Sequence, residues 1–433
     1  MRAAKWIFVV VGALVTLVVA GVVAFALFVD PNRFKDDIAD AVARETGRTL
    51  SLDGDIDLEF WPWFALSTGS GSLGNPQGFD GPPFVRWREA RIRVRLFPLL
   101  RGRAVVDTVR IVGADFDLQR RADGTANWQG WSATTSPATD NSAGGNGVIA
   151  GLALLDSQLE FHDAASGRRL LLSHWRLTVG AIRPGEPIDA ETAFSVSAGD
   201  ELPRAALTVA GRYVPRTDAT ILENLRIAGT LTGGDLAEPS VPIEFSMPTA
   251  RFLEANKKIE VPAWRARLGL FAGSGSLHGV VGDTPAFAGE LALTTGALRE
   301  ALEQWAVKVP ATRDASVLGP FELKTQWTYA SSAISVAPIQ LVLDDSRLRG
   351  ELDVKFGDQP VTAFALQGDQ IAIDRYLPPP DAESEPFVLP TAQLRALPVR
   401  GTLDFAAATL DETRMKRVRI RLLFDEQGVH ANR

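Results

Sequence analysis

Apolar residues follow two patterns along the chain, an uncharged run near its start and a long body with a period of two. Residues 6–29 carry no charge, and Thr16 is the only polar side chain among them. At a rise of about 1.5 Å per residue, a helix of this length can cross a hydrocarbon core of about 30 Å. The run therefore predicts one N-terminal transmembrane helix.

Charged residues next to this run predict its orientation. Arg2 and Lys5 precede it, and the positive-inside rule places such residues in the cytoplasm. A cleaved signal peptide is the alternative, because Ala24-Phe25-Ala26 resembles a cleavage site. The run is longer than the roughly 7–15 apolar residues of a signal-peptide core, which favours a retained anchor. Residues 30–433 are then expected on the far side of the membrane.

A short amphipathic helix is predicted directly after the run. Asp30 is a suitable N-cap, and Pro31 suits the first helical position. Phe34, Ile38 and Val42 follow at helical spacing. Gly47 supplies a C-terminal stop. This helix is expected to lie close to the membrane surface.

The body alternates apolar and polar residues in many short runs. Residues 91–96 read RIRVRL without a break. Further apolar faces are predicted at Phe321, Leu323, Thr325, Trp327 and Tyr329, then at Leu348, Gly350, Leu352, Val354 and Phe356, then at Ala363, Ala365, Ile371 and Ile373. Such runs are typical of antiparallel strands with one apolar face, in a sandwich, a barrel or an elongated curved sheet. The main helical interruption is predicted at residues 297–307.

Composition divides the chain into five segments. These are a cytoplasmic tip and transmembrane anchor at 1–29, a module of one helix plus strands at 30–133, a flexible linker at 134–147, a β-rich body at 148–377 and a C-terminal β segment at 378–433. The linker is rich in Thr, Ser, Asn, Ala and Gly. The last boundary is weaker and rests on a run of prolines with acidic residues after it.

Nothing in the composition indicates catalysis. The chain has no cysteine, which excludes disulfides, thiolate zinc sites and a thiol nucleophile. Its four histidines are scattered, and its net charge of −7 argues against a nucleic-acid binder. Residues 69–74 match G-x-G-x-x-G, but Asn75 and Pro76 follow and cannot open the helix of a dinucleotide site. We expect no enzyme activity, no cofactor and no metal.

Two groups of polar residues keep two interpretations each. Glu160 and His162 would share one face of a strand, as a solvated pair or, less favoured, as a catalytic one. Arg91, Arg93 and Arg95 could contact lipid headgroups or an acidic partner. The favoured alternative is that these arginines form the outward face of a sheet.

Several short segments together carry a resemblance to a known family. In chain order they are the apolar run with Asp30-Pro31-Asn32-Arg33-Phe34, then Thr46-Gly47-Arg48-Thr49-Leu50, Gly54-Asp55-Ile56, Trp61-Pro62-Trp63, Gly71, Leu73-Gly74-Asn75, Gly78-Phe79, Phe97-Pro98-Leu99-Leu100-Arg101-Gly102 and Asp123-Gly124-Thr125-Ala126-Asn127-Trp128. They resemble the N-terminal region of the AsmA family of Gram-negative bacteria. Residues 373–378 (IDRYLP) also resemble a family segment. Because family members continue further, the chain would be a short or a truncated member.

The resemblance implies a single-pass protein of the bacterial inner membrane with its N-terminus in the cytoplasm and its body in the periplasm. It implies a mainly β fold whose elongated, curved antiparallel sheet forms an apolar groove with short capping helices. The implied function is outer-membrane biogenesis by carriage of phospholipid acyl chains, with envelope assembly proteins as further partners and no nucleic acid. Leu323, Trp327, Leu352, Val354 and Phe356 are predicted to line the groove. The alternative is a scaffold or regulator of outer-membrane protein assembly that transports nothing.

Overall fold

The computed structural model describes residues 30–59, 64–95, 106–129, 149–199, 202–330, 332–357, 361–379, 399–411, 413–425 and 428–432. Most of them are in β-strands and few are in helices, so the mainly β class is confirmed. No helix in these ranges is long and apolar enough to cross a membrane. The predicted span at 6–29 and the predicted linker at 134–147 lie outside them. The chain divides into two compact units, Met1–Gly199 and Asp200–Arg433.

The first unit begins with the predicted helix. The Asp30 carboxylate accepts the backbone N–H of Asn32 at 3.0 Å and caps a 3₁₀ turn, Pro31–Phe34. Helix α1, Lys35–Thr46, continues from this turn. It ends at Gly47, whose φ of 68° is in the left-handed region that favours glycine. The local capping signals therefore gave the correct start and end of this helix.

The strands of the first unit form two series that meet at one long strand. Their bounds are β1 Leu50–Leu52, β2 Ile56–Glu59, β3 Phe64–Thr68, β4 Gly71–Leu73, β5 Val85–Trp87, β6 Glu89–Val94, β7 Val106–Val112, β8 Asp115–Arg120, β9 Ile149–Asp163, β10 Arg168–Val179 and β11 Ile188–Ser197. Antiparallel pairing gives the series β1–β4–β5–β8 and β2–β3–β6–β7. Both β7 and β8 pair in parallel with β9, and β10 and β11 follow antiparallel. Strands on both sides of the predicted linker are therefore paired.

The two series are halves of the same interrupted strands. The interruptions form one row across the unit and occur at Gly54, Gly69, Arg88, Gly113, Asp156 and His174. The Gly54 N–H donates to the Ser70 carbonyl at 2.8 Å across this row. A side chain on Gly54 would collide with the backbone of Gly69, so this close approach requires glycine. Aligned irregularities of this kind bend a sheet and increase its twist.

The second unit is a sheet whose strand order follows the sequence. Its elements are β12 Arg204–Pro215, β13 Ala219–Thr232, β14 Val241–Leu253, β15 Lys258–Leu268, β16 Phe271–Val280, β17 Ala286–Thr295, α2 Leu298–Gln304, β18 Phe321–Ala330, β19 Ala333–Leu343, β20 Ser346–Lys355, β21 Val361–Ala372, α3 Ile373–Tyr376, β22 Val399–Leu410, β23 Thr413–Asp425 and β24 Gly428–Asn432. Neighbours from β12 to β21 are antiparallel, β22 is parallel to β21, and β23 and β24 are again antiparallel. Helix α2 falls within the predicted helical interruption.

Candidate functional site

One face of the second unit is apolar along its whole series of strands. A single row of cross-strand partners runs from β12 to β23 through Val209, Ile227, Phe245, Ala266, Gly273, Leu293, Leu323, Leu341, Leu348, Gly368, Phe405 and Val418. Direct partners point to the same side of a sheet. With strands about 4.8 Å apart, this row is about 50 Å long. We call this side the apolar face and the opposite side the polar face.

Four of the five predicted groove residues lie on the apolar face. Leu323 belongs to the long row, while Trp327 and Leu352 both pair with Val336 between them. Val354 pairs with Ile334, the residue on β19 that is opposite Tyr329. These four residues therefore share one surface, as the two-residue period of their strands predicted.

The fifth predicted groove residue, Phe356, lies directly after the last residue of β20. Phe356 donates its backbone N–H to the Ser332 carbonyl at 2.8 Å. It is 47% exposed. The hydrogen bond to Ser332 continues the register in which Val354 pairs with Ile334, and the groove position of Phe356 stays a prediction.

The predicted face of β21 is wrong by one residue. Ala363 and Ala365 pair with Asp353 and Glu351, which places both alanines on the polar face. Thr362, Phe364 and Leu366 occupy the apolar face instead, opposite Val354, Leu352 and Gly350. The stretch 361–366 has almost no polar side chain to mark the outward positions. Only the charged partners on β20 decide the register, and a shift by one residue reverses every side chain.

The apolar face is incompletely covered by the described residues. Leu323, Trp327, Leu352 and Val354 are all half-buried. Leu268, on the same face at the end of β15, is 43% exposed. Inward side chains of a packed two-sheet core would be almost fully buried. Ile339 and Phe405 on the same face are buried, so the apolar face is covered at some positions and exposed at others.

Aromatic rings lie beside glycines of neighbouring strands on the apolar face. The direct partners are Trp264 with Gly275, Phe287 with Gly279, Trp327 with Gly289, Phe364 with Gly401 and Phe405 with Gly368. In each pair the ring occupies the space that a side chain on the glycine would need. Such rings protect the exposed glycine backbone.

Helices and loops close one long edge of this sheet. We call these elements the cap segment. It consists of helix α2, residues 305–320 and helix α3, and it lies where β17 ends and β18 begins. Backbone N–H groups of α2 donate to the carbonyls of Leu318 and Gly319 at 2.7 and 2.8 Å. Ala301 of α2 and Val317 of the loop are fully buried. The predicted capping helices are therefore present at this edge.

The family-like segment at 373–378 anchors the cap segment. Arg375 contacts Asp314 at 2.7 Å and Asp345 at 2.8 Å. The Tyr376 hydroxyl donates to Asp344 Oδ2 at 2.6 Å. Burial, followed by this hydrogen bond, raises the pKa of Tyr376, which keeps the hydroxyl protonated as a donor. The segment thus joins the end of β21 to the loop before β18.

Acid is expected to weaken this anchor through Asp314. The Ser316 hydroxyl, the Ser316 N–H and the Arg375 guanidinium lower the pKa of Asp314 from 3.8 to about 2. In the unfolded chain the carboxyl keeps its ordinary pKa, so the unfolded state binds the proton first as the pH falls. The carboxylate therefore stabilises the folded chain above about pH 4, and this contribution is lost between about pH 4 and pH 2. Urea unfolding midpoints of Asp314→Asn should fall less over this interval than those of the parent chain.

Asp283→Asn is the matched control for this acid titration, because Asp283 lies exposed in the turn between β16 and β17. It should leave the pH dependence of the parent chain unchanged. Equal pH dependence in both variants would contradict a specific role for Asp314.

The predicted headgroup arginines of β6 lie beside carboxylates. Arg91 Nη2 is 2.5 Å from Glu59 Oε1, and Arg95 Nε is 3.3 Å from Asp107 Oδ1. Arg93, on the same face, has Ala65 and Thr108 as strand partners. Two of the three cations are therefore neutralised within the sheet, which fits the outward-face interpretation. A role in headgroup or partner contact stays a prediction.

Asp117, Glu160 and His162 bring metal-ligand atom types together on β8 and β9. Asp117 and Glu160 are direct partners, and one ligand atom of each residue lies within 4.8 Å of the others. His162 Nε2 is 3.0 Å from Glu160 Oε1. Arg169 of β10 is the partner of His162, and its positive charge disfavours a cation at this position. The prediction that the chain uses no metal and no catalytic residue stays a prediction.

Comparison with known proteins shows what the N-terminal region of the chain is similar to. The sequence profile of the AsmA family matches residues 1–183. The resemblance to the AsmA family is confirmed for this region. The matched AsmA region contains α1, the interrupted strands β1 to β8, β9 and β10.

A curated relative gives the same result over a shorter stretch. The chain is 32% identical to Protein AsmA of Escherichia coli (strain K12) over 151 residues. This stretch is 34% of the present chain and 24% of the relative, so the chain matches about a quarter of that AsmA protein's length. No solved structure matches the chain. The apolar face, from β12 onward, lies beyond the AsmA profile match.

Proposed function

We propose that this protein carries phospholipid acyl chains along the apolar face of its second unit and thereby supports outer-membrane biogenesis. Residues 6–29 would anchor it once in the bacterial inner membrane, with the N-terminus in the cytoplasm and both units in the periplasm. The AsmA match of residues 1–183 supports this envelope role. The single observation that carries the transport proposal is the uninterrupted apolar row from Val209 to Val418.

An acyl chain needs continuous apolar cover in water. Exposure costs about 0.8 kcal/mol for each methylene group. A surface interrupted by polar residues would leave part of the acyl chain exposed to water each time it passed one of them. At each strand from β12 to β23 the long row has one residue without a polar side chain, which is Val, Ile, Leu, Phe, Ala or Gly. An acyl chain could therefore move from strand to strand without losing its apolar cover.

The two long edges of the sheet would have different roles. The cap segment fills the edge next to α2 and α3, where Ala301 and Val317 are buried. The opposite edge consists of turns such as Val281–Pro285, between β16 and β17. A polar headgroup would remain in solvent towards the edge that the cap segment does not fill, since a charged phosphate is costly to bury.

Photo-crosslinking in cells tests this proposal with the full chain. A photoreactive phenylalanine analogue replaces Leu323 or Leu352 on the apolar face, and Gln326 or Val342 on the polar face serves as the matched position. Cells are labelled with radioactive phosphate and irradiated. Radioactive lipid adducts are expected at 323 and 352 and not at 326 and 342.

The other outcomes of this crosslinking would remove the transport proposal. Equal lipid adducts on both faces would indicate nonspecific contact with the membrane. Protein adducts without lipid at 323 and 352 would favour the scaffold or regulator of outer-membrane protein assembly.

A further inference from the structure

A second concave surface lies on the polar face of the second unit. It has a volume of about 550 Å³ and is formed by β13 to β17. Arg226, Arg265 and Arg267 stand around a floor of small residues such as Ser246 and Ala272. Arg265 pairs with Ser246 and with Ser274, while its neighbour Trp264 belongs to the apolar face. This arginine concavity is therefore separated from the apolar face by the sheet itself.

The three arginines lie close enough to act on one ligand. Arg226 and Arg265 share a row with Ser246 between them, which places their backbones about 10 Å apart. Arg267 is two residues along β15, about 7 Å from Arg265. Glu244, opposite Arg267, is the one acidic residue of the lining. The formal charge of the lining is thus three positive against one negative.

The three arginines of the concavity have no acidic partner within ion-pair distance among the described residues, in contrast to arginines such as Arg86 and Arg419. Arg86 contacts Asp115 at 2.8 Å, and Arg419 contacts Asp404 at 2.5 Å. Within the described ranges, no ion pair within 4.0 Å involves Arg226, Arg265 or Arg267, although the whole chain has a net charge of −7. Like charges at this spacing repel each other. A bound anion would relieve that repulsion.

We propose that the arginine concavity binds a phosphate-bearing ligand. Guanidinium groups present forked donors that match the oxygens of a phosphate, and such charged hydrogen bonds are stronger than neutral ones. The volume is within the range of about 300–1,000 Å³ that small-molecule sites occupy. The floor of Ser and Ala side chains leaves room for a phosphoryl group between the arginines. The phosphate could belong to a soluble compound or to a lipid headgroup, and the chemistry of recognition is shared.

Titration calorimetry on the full chain in a nonionic detergent tests this site. Inorganic pyrophosphate is the soluble probe, and dihexanoyl phosphatidate is the lipid probe. Saturable binding with one site per chain is expected. Each of Arg226→Gln, Arg265→Gln and Arg267→Gln should raise the Kd about tenfold, because each removes a charged hydrogen-bond donor.

The control variant carries Arg347→Gln, Arg349→Gln and Arg400→Gln on the polar faces of β20 and β22. It removes the same charge as the concavity variant, which combines Arg226→Gln, Arg265→Gln and Arg267→Gln, and it should bind like the parent chain. Equal weakening in both triple variants would show general electrostatic attraction and overturn the proposal. No saturable binding of either probe up to roughly 10 mM would also overturn it.

The two probes distinguish the source of the phosphate. Loss of pyrophosphate binding in the concavity variant would support recognition of the phosphate alone. Binding of phosphatidate only, with the same loss, would support a lipid headgroup. Phosphatidate binding that survives in the concavity variant, without pyrophosphate binding, would place the lipid elsewhere and overturn the proposal. Leu352→Asp should leave pyrophosphate binding intact, so failure of acyl-chain carriage and failure of this site are distinguishable.

Discussion

Replacing Leu352 with aspartate is expected to reduce the phospholipid that co-purifies with the full chain by tenfold or more. Leu352 lies between Val336 and Phe364, so a carboxylate there interrupts the apolar face within its series of strands. An acyl chain crossing this point would have to desolvate a charge, which costs several kcal/mol. Native mass spectrometry with lipid extraction, on the chain purified from Gram-negative membranes, counts the lipids per chain.

Val342→Asp is the matched control for this variant. Val342 is a half-buried apolar residue on the neighbouring strand, but it lies on the polar face between Glu322 and Arg347. The control introduces the same charge and should retain the lipid of the parent chain. Circular dichroism and the unfolding midpoint show whether both variants fold. A folded Leu352→Asp chain with a normal lipid count would remove Leu352 from the lipid path.

The second large effect is expected at Gly289, beneath Trp327. A Cβ atom on Gly289 would overlap the Ser276 carbonyl oxygen and approach Trp327 Cε2 to 3.2 Å. The Ser276 carbonyl belongs to the backbone of β16, so it cannot move away without disturbing the pairing of β16 with β17. Gly289→Ala should therefore lower the free energy of unfolding by roughly 1–3 kcal/mol, as overpacking does in other sheets and cores.

Hydrogen exchange locates this effect, because the loss of protection should concentrate in β16, β17 and β18. Gly296→Ala is the control, since a Cβ atom there has no heavy atom within 4 Å. That variant should unfold at the midpoint of the parent chain. Equal loss of stability in both variants would contradict a specific role for the contact between Gly289 and Trp327.

Local signals and clear alternation account for what could be predicted from the sequence. Asp30, Pro31 and Gly47 act on their own neighbours, so the ends of α1 follow from them directly. The apolar positions of β18 and β20 were also correct. In β20 charged residues separate them, and Arg347, Arg349 and Glu351 could only face water. Where charged residues occupy the outward positions of a strand, the sequence alone shows which of its side chains lie on the apolar face.

Features that depend on strand pairing could not be predicted. The face of β21 was wrong because alanines stand on the outward positions between Thr362, Phe364 and Leu366. The contact between Trp327 and Gly289 joins residues on different strands, and the sequence around either residue does not indicate which residue it pairs with. The arginine concavity likewise combines Arg226 with Arg265 and Arg267, which are distant in sequence. The bulky aromatic residues opposite glycines would have been a usable signal only after the register was known.

The sequential strand order of the second unit has a consequence for its length. Between β12 and β21 each strand pairs with the strand before it and the strand after it in the sequence. A hairpin could therefore be deleted or duplicated as a block, and the remaining strands would keep their own register. Each such change would shorten or lengthen the sheet by about 10 Å. The pair β21 and β22 is the exception, because parallel neighbours cannot be joined by a hairpin turn and so do not form such a block.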